Sequence, residues 1–125
     1  MDERIAQAIQ KRTPEGMLGC AAAFRIAEDL GVTPRAVGQT ADELNVRLTG
    51  CQLRLFGHGD QKGVQPAEEV APEVAQAIQE GLILGRLPCA VAWAIAVRFG
   101  MPKSEVANAA ETLGVRIAQC QIGAF

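Results

Sequence analysis

The fold is decided by the run AFRIAEDLGVTPRAV at residues 23–37 and by its counterpart AWAIAVRFGMPKSEV at residues 92–106. In both runs an apolar, alanine-rich stretch leads to a glycine, and a second stretch with helical spacing follows it. This pattern predicts two helices joined by a tight turn, because glycine ends a helix in a left-handed conformation at little cost. Thr33 suits the cap of the second helix and Pro34 its first position. The second run has Pro102 in place of the threonine, and we expect a weaker helix start there.

The two runs belong to a longer internal repeat with a shift of 69 residues. Residues 5–56 align with residues 74–125 without a gap, and 21 of the 52 positions are identical. A copy of this size forms only a marginal hydrophobic core by itself. We therefore predict that the copies pack as an intrachain dimer around a pseudo-two-fold axis. The expected boundaries are residues 1–57 and 70–125, joined by a linker at 58–69.

Each copy is predicted to be mainly helical with short strands. Ile5, Ala8 and Ile9 have helical spacing and indicate a helix over residues 3–12. Residues 17–19 predict a brief strand, and the β-branched, alternating residues 46–48 predict another after the second helix of the run.

With these elements around it, the 23–37 run resembles a helix-turn-helix, and each copy resembles a winged helix. The small Ala27 allows the two helices to cross closely, and Gly31 makes the turn. The resemblance implies that the second helix of each motif reads bases in the major groove of DNA. It implies base-reading roles for five exposed candidates on the helices: Arg35, Gln39, Lys103, Ser104 and Asn108. Arg47 and Arg116, on the strands that follow, are expected either to contact DNA phosphates or to form ion pairs with acidic side chains of the preceding helix.

The charge distribution opposes strong DNA binding. Residues 1–57 carry seven basic and seven acidic side chains, and residues 70–125 carry four of each. Duplex-binding proteins draw much of their affinity from clustered lysine and arginine. The same fold also serves for docking another protein or a second copy of the chain. Gly38, inside the first reading helix, indicates either a tolerant surface or the close approach of another backbone.

The sequence favours a non-enzymatic regulator. It has one histidine, His58, which lies with Asp60 in the glycine-rich linker GHGDQKG and not inside a copy. We see no phosphate-binding glycine loop and expect neither catalysis nor a cofactor. The longest apolar run, residues 89–97, is much shorter than the roughly 20 residues of a membrane span. The charged start of the chain does not resemble a secretory signal, so we expect a cytoplasmic location without membrane partners.

The four cysteines occupy equivalent places in the repeat, Cys20 with Cys89 and Cys51 with Cys120. Three interpretations stay open: small buried core residues, a four-cysteine metal site or a redox pair of the two cysteines in one copy, and disulfides. The last is disfavoured by the expected compartment.

Each copy ends with a segment that contains a recurring Cys-Gln pair and a recurring phenylalanine. Gln52 and Gln121 are expected to be buried amides that bond to backbone, or the lining of a small pocket. Phe56 and Phe125 are expected to fill the core between the copies. Phe24 and Trp93, which are equivalent, are expected to be buried.

Overall fold

The computed structural model describes residues 2–13, 16–56 and 63–125. Within these residues the chain forms six helices and four short strands, so the predicted mainly helical class is confirmed. The helices and strands occur in the following order along the chain: α1 (Glu3–Lys11), β1 (Met17–Gly19), α2 (Cys20–Leu30), α3 (Pro34–Glu43), β2 (Arg47–Thr49), α4 (Pro72–Glu80), β3 (Leu87–Pro88), α5 (Cys89–Phe99), α6 (Lys103–Thr112) and β4 (Ile117–Ala118). His58 and Asp60 of the predicted linker lie outside the described residues.

The turn between α2 and α3 has the features that the sequence predicts. Gly31 ends α2 with a φ of 65°, and its N–H donates to the carbonyl of Ala27. The Thr33 hydroxyl accepts a hydrogen bond from the Ala36 N–H, and Pro34 takes the first turn of α3. In the second repeat Gly100 ends α5 with a φ of 62°. Pro102 precedes α6 there without a side-chain cap, as expected.

The backbone repeats its unusual conformations with the same shift as the sequence. Positive φ angles occur at five pairs of positions 69 residues apart, namely 16 with 85, 31 with 100, 45 with 114, 50 with 119 and 54 with 123. Three of these pairs combine a non-glycine with a glycine, since Asn45 corresponds to Gly114, Gln119 to Gly50 and Arg54 to Gly123. Because non-glycine residues rarely adopt positive φ, a shared backbone path is the physical reason for this recurrence.

Each repeat closes a β-α-α-β arrangement with two parallel strands. Strand β1 pairs with β2 so that Leu18 lies opposite Leu48, and β3 pairs with β4 so that Leu87 lies opposite Ile117. In the described residues each of these sheets has two strands. No antiparallel hairpin follows β2 or β4 in this part of the chain, so the winged-helix assignment stays a prediction.

The described residues divide into two compact units. Unit 1 holds the first repeat up to Cys51, together with Phe56 and Gln121–Ala124. Unit 2 holds Gln52–Leu55, the second repeat up to Cys120, the preceding residues from 63 onward, and Phe125. Each unit therefore includes a four-residue segment that the sequence assigns to the other repeat. The pseudo-two-fold packing stays a prediction.

Both cores consist of small and branched apolar side chains. In unit 1 the fully buried residues include Ile9, Leu18, Ile26 and Val37, and in unit 2 they include Ile78, Leu87 and Val106. In each unit the side chains from the helix before the first strand and from both helices of the turn come together, which is what helical spacing of the apolar residues predicts. No helix of the described part has the length and apolar character that crossing a bilayer requires.

Candidate functional site

The second helix of the first motif, α3, presents a polar face that is open to solvent. Arg35 and Gln39 are exposed, whereas Val37, Gly38, Thr40 and Ala41 are buried. Residues four apart lie on the same side of a helix, so Arg35 and Gln39 form one line along α3. These two side chains carry the donors and acceptors that recognise guanine and adenine edges.

Acidic side chains continue this line toward the end of α3. Asp42 and Glu43 are exposed on the last turn, where they would repel phosphates. Arg47 is exposed on β2. The salt bridges found in the described residues are Arg4–Asp2, at 3.3 Å, and Arg12–Asp29, at 3.7 Å. Arg35 and Arg47 take part in neither of them, so the predicted alternative of an ion pair for Arg47 is not formed in this part of the chain.

Lys103, at the start of α6, is held by contacts inside unit 2. Its Nζ donates to Oε1 of Gln52 over 2.8 Å and lies 3.9 Å from the centre of the Trp93 ring. A lysine ammonium above an indole is attracted by the negative face of the ring. The predicted base-reading residue therefore has a structural partner on each side. Gln52, expected to bond to backbone or to line a pocket, accepts this hydrogen bond from a charged side chain.

Asn108 is also occupied within unit 2. Its side-chain oxygen accepts the Gln65 N–H over 3.0 Å, and its backbone carbonyl accepts the Ala67 N–H over 3.3 Å. The Thr112 hydroxyl donates to the carbonyl of Ala67 over 2.8 Å. Residues 63–70, which we call the connector, thus run along α6 and are bonded to it. The equivalent position in α3 is Gln39, which is exposed.

The two remaining candidates of the second repeat differ in exposure. Ser104 is half-buried on the first turn of α6, and Arg116 is exposed just before β4. Of the seven predicted residues, Arg35, Gln39 and Arg47 lie in unit 1, and the other four lie in unit 2. The face of α6 that corresponds to the exposed face of α3 is therefore partly covered, because the connector and Gln52 form hydrogen bonds with it.

Gly38 is buried by the backbone of the segment Gln121–Ala124. A Cβ placed on Gly38 would overlap the carbonyl oxygen of Ile122 and would lie 2.8 Å from Cγ2 of the same residue. The interpretation of a close backbone approach is therefore the one that the structure supports. The approaching backbone belongs to the terminal segment and not to another helix.

The apolar anchors of the terminal segments are not the phenylalanines. Phe125 is 44% exposed and Phe56 is half-buried, so the prediction that they fill a core is wrong. The buried residues are Leu53 and Ile122, with 0% and 2% exposure, which are equivalent in the repeat. The hydrogen bonds Cys51 N–H to Phe56 carbonyl and Cys120 N–H to Phe125 carbonyl fold each segment into a loop. These loops turn the middle of the segment, and not its end, inward.

The aromatic pair on the helices α2 and α5 is less buried than expected. Phe24 and Trp93 are both half-buried. Trp93 combines this partial burial with the contact to the Lys103 ammonium, and an indole commonly has one apolar and one polar environment.

The cysteines are core residues. All four are buried and none forms a disulfide. Cys20 and Cys89 begin α2 and α5. Nowhere among the residues that the structure describes do three or more histidine, cysteine or acidic side chains come together as metal ligands. The four-cysteine metal site is therefore not formed, and the interpretation as small apolar core residues remains.

The pKa of one carboxyl group, that of Asp2, is clearly displaced. Asp2 caps α1 by accepting from the N–H groups of Arg4 and Ile5, over 2.8 and 3.4 Å. The hydrogen bond from the Arg4 side chain, helped by these backbone donors, lowers the pKa of Asp2 below its ordinary value. This group lies at the start of α1, and we connect it with helix capping and not with a binding function.

Comparison of the chain with known proteins adds no relative. No family model, no curated protein and no solved structure matches it. Functional inference therefore depends on the side chains described above.

Proposed function

We propose that the chain is a small non-enzymatic regulator that contacts duplex DNA through α3 of unit 1. One observation carries the proposal: Arg35 and Gln39 are exposed in one line on the helix that follows a helix-turn-helix turn. In this motif the second helix enters the major groove with its first residues against the base edges. Arg35 is the second residue of α3, and Gln39 follows one turn later.

Unit 2 has a different role in this proposal. Lys103 donates to Gln52, and Asn108 accepts from the connector. Both would have to give up these hydrogen bonds to reach a base. A hydrogen bond to a charged group, as at Lys103, is worth about 1.5–3 kcal/mol, and a neutral one, as at Asn108, about 0.5–1.5 kcal/mol. Base contacts by α6 therefore require the loss of hydrogen bonds within unit 2, whereas base contacts by α3 do not. We assign the base contacts to α3 alone.

The charges of unit 1 set the expected strength of binding. With Asp42 and Glu43 at the end of α3, few phosphates can be contacted. If two cations reach phosphates, the logarithm of the binding constant falls with the logarithm of the salt concentration with a slope of about −2. Binding by one chain is then weak at physiological salt, and tighter binding requires two chains on neighbouring sites.

The experiment is a gel-shift series with duplexes selected from a random pool at about 50 mM salt and then tested again at about 200 mM. Arg35→Ala should weaken binding to the selected duplex by about 1–3 kcal/mol and relax the preference at one base pair. Arg47→Ala should weaken binding to all duplexes alike. Arg98→Ala, which removes an exposed arginine from α5, is the control and should change nothing.

Two results would contradict the proposal. The first is the absence of any retarded band at the lower salt concentration. The second is an equal loss for Arg116→Ala and for its repeat equivalent Arg47→Ala, because only the Arg47 position belongs to the unit that we assign to DNA.

A second candidate function is docking of another copy of the chain, and a different observation favours it. Five large apolar side chains of unit 2 are exposed among the described residues, and the most exposed are Ile83 by 52%, Leu84 by 99% and Val97 by 81%. The residue equivalent to Val97 in the first repeat is Glu28, which is also exposed. Sedimentation velocity over a range of protein concentrations tests this function. Val97→Glu should reduce self-association, and a chain that is monomeric at every concentration would exclude it.

A further inference from the structure

Unit 2 contains a pocket beside the connector. Its volume is about 540 Å³, and it lies where the connector passes the start of α4 and the first turns of α6. Pockets for small ligands generally measure about 300–1,000 Å³. The hydrogen bonds from Gln65 and Ala67 to Asn108 hold the connector in place as one wall.

The larger part of the lining of this pocket is apolar. Val70 from the connector, Val74 from α4, and Phe99, Met101 and Ala109 from the second motif contribute to the lining. Phe99 and Met101 are half-buried, so part of their apolar surface is accessible. An apolar group of the size of a phenyl ring would bury this surface, and the gain is about 25 cal/mol per Å² of apolar area removed from water.

Three carboxylates lie at the rim of the pocket: Glu69 in the connector, Glu73 on the first turn of α4 and Glu105 on the first turn of α6. All three are exposed, and none takes part in a salt bridge found in the described residues. An acidic side chain on the first turn of a helix is favoured by the helix dipole, which accounts for Glu73 and Glu105. It does not account for Glu69, which lies on no helix.

The first repeat shows that the fold itself does not require these charges. The residue equivalent to Glu73 is Arg4, and the residue equivalent to Glu105 is Ala36. Negative charge at these two positions is therefore specific to the second repeat. No cation of the chain faces the pocket among its lining residues.

We propose that this pocket binds a small organic cation that has an apolar group, such as an arylalkylammonium ion. The apolar group lies against Val70, Val74 and Met101, and the ammonium lies at the rim between Glu69, Glu73 and Glu105. The inference stands on the cavity and on its charge complementarity. It does not depend on DNA binding, because all the lining residues belong to unit 2.

The test compares three probes of the same size that differ in charge: 2-phenylethylammonium, 2-phenylethanol and 3-phenylpropionate. Each is titrated into the full chain and followed by NMR through the methyl signals of Val70, Val74 and Ala109. We expect saturable shifts with the ammonium probe and binding about ten-fold weaker for the alcohol, given the modest worth of each exposed carboxylate. The carboxylate probe should bind more weakly still.

Variants of the rim then assign the charge preference to individual residues. Glu73→Gln and Glu105→Gln should each weaken binding of the ammonium probe about three-fold and leave binding of the alcohol unchanged. Glu111→Gln, an exposed carboxylate on α6 outside the pocket, is the matched control and should alter neither probe. Equal affinity for ammonium and alcohol, shifts at residues away from the pocket, or no saturable binding at all would each overturn the proposal.

Discussion

Replacing Gly38 by alanine gives the sharpest test of the packing in unit 1. Gly38 lies inside α3, where alanine is ordinarily the better residue by about 0.5–1 kcal/mol. Helix propensity alone therefore predicts that Gly38→Ala stabilises the protein. The structure predicts the opposite sign, because the new methyl group would meet the backbone of Ile122.

The magnitude follows from what must move. The added Cβ would lie 2.9 Å from the carbonyl carbon of Ile122 and 2.8 Å from its Cγ2, so the segment Gln121–Ala124 has to shift or leave. Strain from an extra methyl group in a packed site costs about 1–3 kcal/mol. Complete release of Ile122, which is 2% exposed, costs about 1.5–3 kcal/mol. After subtraction of the propensity gain, the net loss of unfolding free energy is about 1–2 kcal/mol.

The assay is urea denaturation together with thermal unfolding. A loss of this size lowers the melting temperature by about 4–8 °C, with about 4 °C for each kcal/mol. The control is Ala107→Gly, the reverse change at the equivalent position of α6, which should cost about 1 kcal/mol. Our reasoning requires that both variants are less stable than the parent chain. Opposite effects, with Gly38→Ala more stable, would show that helix propensity decides and that the approach of Ile122 is not present in solution.

Three further outcomes can be measured on the same protein. Thr33→Ala should lower the unfolding free energy by about 1 kcal/mol, because the Thr33 hydroxyl caps α3. Thr33→Ser keeps a hydroxyl and should retain the stability of the parent chain. Equal stabilities for these two variants would contradict the cap. Lys103→Met should change the fluorescence emission of Trp93, the single tryptophan. It should also lower the unfolding free energy by about 1–2 kcal/mol, because the hydrogen bond to Gln52 and the contact with the Trp93 ring are lost. Unchanged emission would mean that the ammonium does not lie over the ring. The lowered pKa of Asp2 means that its contribution to stability is complete above the pKa of the unfolded chain and is lost as the pH falls through the lower folded value. The substitution Arg4→Ala should raise the pKa of Asp2 toward its ordinary value, which an NMR titration measures. An unchanged pKa of Asp2 would exclude the Arg4 side chain as the cause.

The duplication supplies the internal comparison on which the functional proposals depend. Both repeats share the tight turn and the positive-φ positions, yet their surfaces differ at equivalent places. Arg4 corresponds to Glu73, Glu28 to Val97, and the exposed Gln39 to the connector-bound Asn108. The first repeat therefore has an open polar face on α3, whereas in the second repeat the corresponding face of α6 is bonded to the connector.

Local sequence was sufficient for the helices, the turns and the repeat. Gly31, Thr33 and Pro34 specify the junction of α2 and α3 through conformations and hydrogen bonds that involve only neighbouring residues. The exposure of Arg35 and Gln39 also followed from helical spacing, since the apolar positions of α3 define which side is buried.

The role of the terminal segments required the tertiary structure. The sequence pattern made Phe56 and Phe125 the natural anchors, because a large aromatic side chain gains most from burial. The loops closed by the carbonyls of Phe56 and Phe125 instead turn Leu53 and Ile122 inward. Each of these segments belongs to the unit that is formed mainly by the other repeat. Sequence periodicity does not predict this arrangement, because Gly38 and Ile122, which are in contact in unit 1, are more than 80 positions apart.

What the amino-acid sequence determined by itself is the repeated pair of helices joined by a glycine turn, since its signals act over a few residues and were present twice. Only the tertiary structure decided which polar side chains remain available. Lys103 and Asn108 look like base readers in the sequence, but Gln52 and the connector reach them across long separations and bind them. A hydrogen bond between distant residues depends on the packing of the whole unit, and no local pattern encodes it.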